Sequence, residues 1–217
     1  MSYLLKKEID KLKNKLLSLG AMIEERFDMM IESIENLDTE VADKIITSDY
    51  EIDEEEVAIE EECLKALALF QPVAIDLRFL VAMIKINNDM ERIADNIVNV
   101  AERVVVASKE KEDVFTFDYM DMARRVKQML HQSLDILVNM DMDTAYKIRI
   151  MDDAVDKIKD QAYDVTKDVL KSHPDKAGCI INMYLISRHL ERIADLATNI
   201  AEEIIYIIEG DIVRHTE

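Results

Sequence analysis

Residues 91–102 read ERIADNIVNVAE and residues 191–202 read ERIADLATNIAE, so eight of twelve positions are identical one hundred residues apart. A chain that repeats itself so closely builds one structural unit twice. Within the first copy and just beyond it, Ile93, Ile97, Val100 and Val104 step by three and four residues, the period of one apolar helix face. The duplicated unit is therefore helical.

Composition extends that conclusion to the whole chain. Among 217 residues there are 3 Gly, 2 Pro and no Trp, with 34% charged and 49% hydrophobic residues, so turn formers are scarce and helix formers abundant. The fold class read from these is all-α. Leu5, Ile9, Leu12, Leu16, Leu19, Ile23, Phe27, Met30, Ile34 and Leu37 mark a first long helix, and "LDTE" predicts a break with an N-cap at Asp38 or Thr39. A second helix is expected to run to about Phe70. Pro72 is expected in the first turn of a third, which continues to about Lys109. The charged stretch "KEKEDVFTFD" then reads as the boundary between halves. Three further helices are expected near 117–139, 142–171 and 175–209, the last pair joined through "SHPDKAG". The organisation predicted is two tandem three-helix bundles related by internal duplication, 1–110 and 116–217.

With 27 basic and 46 acidic residues, the formal net charge is −19, which disfavours contact with a phosphate backbone and hence nucleic-acid binding. Cys63 and Cys179 lack CxxC spacing and sit among apolar helical residues, as reduced core thiols do. The start "MSYLLKKEID" lacks a signal-peptide core, and every apolar run is interrupted before the roughly 18 residues that span a bilayer. A cytoplasmic protein is expected.

On a helical wheel of about 100° per residue, Glu91, Asp95, Asn99 and Glu102 fall near about 0°, 40°, 80° and 20°, whereas the apolar stripe lies near about 180–240°. The carboxylates thus face away from the core. A second acidic pair precedes each repeat at the same four-residue step, Asp49 with Asp53 and Asp152 with Asp156. Each of these pairs and its partner, Glu91 with Asp95 or Glu191 with Asp195, lies about 20 residues from the intervening hairpin turn, so antiparallel helices bring them to one height. Four carboxylates at one level repel unless protons or cations intervene, and hard cations are bound by such oxygens. Asp49, Asp53, Glu91, Asp95, Asp152, Asp156, Glu191 and Asp195 are accordingly the candidate metal ligands.

Other residues carry less. Arg92 and Arg192 read as ion-pair partners of neighbouring carboxylates. The acidic run from 38 to 62 reads mostly as solvated face, and the 13 Met as core filler. His131, His173, His189 and His215 form neither HxxxH nor ExxH, which removes the signatures of a zinc protease and of an interior di-iron oxidase. No phosphate-cradling Gly loop or nucleophile elbow is present, so no enzyme is expected.

"QPVAIDLRFL", "MERIADNIVNVAERV" and "HLERIADLATNIAEEIIYIIEGDIVRH" together resemble the PhoU family of phosphate-uptake regulators, in order and over almost the whole chain. The resemblance implies two three-helix bundles with multinuclear iron or zinc clusters on the surface, held by E(D)xxxD motifs that match the eight residues above. The chain departs at Leu196, where family members often carry His. It also implies a homodimer without catalytic activity, brought to the membrane by contact with the Pst importer ATPase and a PhoR-type sensor kinase. Through them it would repress the Pho regulon when phosphate is plentiful. A metal-storage or metal-dependent structural bundle, without a phosphate-signalling partner, is the alternative.

Overall fold

The computed structural model describes residues 3–109 and 117–210, and every regular element in them is helical. The helices are α1 (Tyr3–Asn36), α2 (Thr39–Thr47), α3 (Tyr50–Phe70), α4 (Ile75–Ala107), α5 (Tyr119–Asn139), α6 (Met142–Ser172) and α7 (Ala177–Glu209), with one 3₁₀ turn at Pro174–Lys176. Most of the stretch read as the boundary, 110–116, lies outside the described residues.

Local chemistry sets the ends. Asp38 caps α2 by accepting from the N–H groups of Glu40 and Val41, and Asp141 caps α6 by accepting from Asp143 and Thr144. The C-terminal residues Gln71, Met140 and Gly210 turn left-handed, each returning its N–H to a carbonyl four residues back. Two expectations need correction. Pro72 is not in the first turn of a helix: Gln71 at φ 43° ends α3, Ala74 at φ 51° redirects the chain, and α4 starts only at Ile75. The expected second helix is two, because Thr47 and Ser48 bond their hydroxyls back to the carbonyls of Asp43 and Lys44 and the α-helix stops there.

The first bundle packs α1, the α2–α3 arm and α4; the second packs α5, α6 and α7. Their apolar stripes meet in one continuous core, with Leu19, Ile23 and Phe27 of α1, Ile86 and Ile97 of α4, Leu130 of α5 and Ile200 of α7 all fully buried. The bundles join chiefly through α4 and α7. Contacts of Lys85 with Glu203, Asn96 with His189 and Arg103 with Asn182 show that these two helices run antiparallel. Given the hundred-residue repeat, their crossing centres near Ile93 and Ile193, both fully buried. The two copies of the duplicated motif therefore face each other across the pseudo-twofold of the molecule. Behind them, α1 meets α5 where Gly20 lies; a Cβ there would come within 2.9 Å of Leu134 Cδ2.

Candidate metal centres

Helical spacing places the acids on adjoining helices. Asp53 follows Asp49 on one turn at the start of α3, and Glu91 with Asp95 sits mid-α4; Asp152 with Asp156 on α6 stands beside Glu191 with Asp195 on α7. Ile52 and Ile93 beside the first group, and Val155 and Ile193 beside the second, point into the core, which fixes the acids on the solvent side. The eight residues gather as two groups of four, and neither group enters a bundle interior.

Electrostatics register the crowding. Partial burial, then the charges of Asp53 and Asp95, push Asp49 up to about 6. Burial, then Asp95, Glu56, Asp53 and Asp49, push Glu91 up to about 7. Asp95 is raised by burial and Asp53, against a hydrogen bond from Glu91 and the charge of Arg92. In the second group, burial and then Asp195, Asp156 and Glu191 push Asp152 up to about 7, and burial with Glu191 and Asp156 pushes Asp195 up to about 6. In each group, closely spaced carboxylates hold protons at pH values where an isolated one would be ionised.

The groups share a polar groove of about 780 Å³ between α4 and α7, whose walls include Asp95, Arg92, Asn99, Asp152, Asp195 and Arg192. Its floor is pinned by Asn96, which donates to the Arg92 carbonyl at 2.7 Å and accepts at 3.0 Å from Nδ1 of His189. Burial, with Arg192, Arg103 and Arg188 around it, depresses His189 to about 4, so it is neutral there. Arg92 forms an ion pair with a neighbouring carboxylate as expected, donating to the buried Asp89 at 3.3 Å, whereas Arg192 stands exposed in the groove wall.

Three participants carry no mark in the E(D)xxxD pattern. Glu56 and Lys159 occupy the next step of each acidic row, and Asn87 supports Glu56 from α4. Continuing the rows by three residues would have found the first two.

The donor set fits a cation: carboxylate oxygens only, mutually repelling and open to solvent. The side chains as they lie do not close around one point, since among the described residues no three His, Cys, Asp or Glu side chains are disposed to hold a single ion. Cation binding there would draw the carboxylates inward by rotamer change, which surface side chains allow.

A PhoU domain model matches residues 16–104 and 119–204. The chain is 31% identical over 204 residues to the phosphate-specific transport system accessory protein PhoU homolog of Clostridium acetobutylicum, covering 94% of this chain and 93% of that one. It is 35% identical to the homolog of Synechocystis, covering 93% and 90% respectively. The crystal structure of PhoU from Pseudomonas aeruginosa superposes with a TM-score of 0.90 at 29% identity, over 95% of this chain and 99% of that one. The phosphate transport system regulatory protein PhoU of Streptococcus pneumoniae does so with a TM-score of 0.86 at 27% identity, over 96% and 99%.

Proposed function

The chain belongs to the PhoU family, and on that premise we propose that it is a metal-binding regulator of phosphate uptake that works by contact with other proteins. The observation that carries this reading is the carboxylate cluster built twice on the surface from a duplicated motif. A structural role alone does not call for such a cluster, because the core packs on the opposite helix faces. Bound iron or zinc would supply the positive charge that cancels the repulsion. Asp49, Asp53, Glu91 and Asp95 would hold it in one centre, and Asp152, Asp156, Glu191 and Asp195 in the other.

Relatives are phosphate-specific transport system accessory proteins, so the partners proposed are the importer's ATPase and a PhoR-type sensor kinase, engaged in the cytoplasm by a homodimer. Net charge −19 turns the protein from DNA. Among the described residues no helix is long and apolar enough to cross a membrane, so a described helix does not provide the attachment and partners would.

Pull-down of the importer ATPase with the purified protein tests the contact. Capture, together with derepression of phosphate-starvation genes in phosphate-rich medium when the native gene is deleted, is expected. Failure to capture, with phosphate control intact in the deletion strain, would leave a metal-storage protein as the better reading.

A further inference from the structure

The two centres are built on equivalent helical turns that share both aspartates and differ in the next residue of the acidic row. Asp152 stands where Asp49 does, Asp156 where Asp53 does, and Lys159 where Glu56 does. In the first half that position adds a fifth carboxylate, near enough to Glu91 to raise it. Glu56 is fixed by Asn87 of α4, whose Nδ2 donates to its Oε1 at 3.0 Å and its backbone carbonyl at 2.9 Å. Asn87 is fully buried, and its Oδ1 has no partner in the structure, an oxygen acceptor left over beside the cluster. Arg26 and Arg92 act on this centre only through space, since their guanidinium groups bond Glu51 at 2.7 Å and Asp89 at 3.3 Å.

In the second half the same position supplies a cation. Lys159 Nζ donates to Asp156 Oδ1 at 2.9 Å and to Glu191 Oε1 at 3.1 Å, and it lies 3.8 Å from Asp160. The ammonium thus bridges α6 to α7 and occupies two of the four candidate ligands. Over the five aligned positions the first centre has five carboxylates and the second four with one ammonium. Asp153 and Asp160 add acidic charge around the second, so the difference lies in Lys159 engaging two candidate ligands and not in net charge.

We propose that the centres are inequivalent by construction: Lys159 serves as a resident cation in the second, so divalent metal fills the first centre preferentially and the second only by displacing the ammonium. This rests on the metal-centre reading above. It also gives the protein two thresholds for metal instead of one.

The test is Zn²⁺ titration against a competing chromophoric chelator, with circular dichroism as the fold control. Glu191→Gln/Asp195→Asn isolates the first centre and Glu91→Gln/Asp95→Asn isolates the second. The first is expected to bind Zn²⁺ at least about tenfold more tightly. Lys159→Gln, added to the isolated second centre, is expected to recover about tenfold, while Lys159→Arg, which keeps the charge, is not. Conversely, Glu56→Lys in the isolated first centre is expected to weaken it to the level of the second. Equal affinities that Lys159→Gln leaves unchanged or weakens would overturn the inequivalence and leave the metal reading standing. No Zn²⁺ binding in either background would overturn both.

Discussion

Near neutral pH, Glu91 and Asp152, each pushed up to about 7, and Asp49 and Asp195, pushed up to about 6, are poised to take up protons that the unfolded chain would not hold. Native-state pKa values raised above the unfolded ones mean that ionisation costs stability, fully so above about pH 8, and that the cost is relieved as pH falls through 7 and 6. The metal-free protein is therefore expected to melt higher at pH 6.5 than at pH 8, measured by circular dichroism. The depressed His189 opposes the trend only below its ordinary value of 6.5, where the unfolded chain gains a proton that the native ring refuses. Added salt should narrow the difference, because the repulsion is between partly solvated charges. The eight acids were legible in the sequence because a four-residue step repeated in both halves is independent of contact detail. The positions of Glu56 and Lys159 follow from extending those rows by three residues, but their roles do not, because these come from what surrounds them: Asn87 in one half, Asp156 and Glu191 in the other.

Among the elements, helices with a long apolar stripe were legible to within a residue or two, as α1 and α5 show. The failures sit where local detail decides: Thr47 and Ser48 divide the expected second helix by hydroxyl back-bonds, and Gln71 and Ala74 adopt positive φ at the hairpin without being glycine. The packing of α4 on α7 was also not legible, since it depends on two duplicated surfaces meeting each other. That packing is where the fold is most vulnerable. Replacing Ile193 with Ala at the crossing is expected to cost about 2–5 kcal/mol, read from denaturant unfolding. Asp38→Ala, which removes the α2 cap, is expected to cost about 1 kcal/mol. Because α4 and α7 share one core, both variants should still unfold in a single transition. A second transition would show that the bundles are energetically separate.

For the whole molecule, the placement of both acidic groups opposite the core separates folding from metal loading. Chelation is expected to leave the helical circular dichroism intact at low temperature, because Ile93, Ile97, Ile193 and Ile200 are packed whether or not the carboxylates are neutralised. It should still lower the melting temperature. A metal present at a hundred times its Kd adds about 2.7 kcal/mol, or about 5–10 °C for a chain of this size. The most direct measurement is elemental analysis of protein purified without chelators or a metal-binding tag, alongside the Glu91→Gln/Asp95→Asn and Glu191→Gln/Asp195→Asn variants. Iron or zinc bound at more than one ion per chain is expected, reduced by half or more when the first centre is removed and by half or less when the second is. Metal-free wild-type protein, or a metal content that neither double variant changes, would contradict the account.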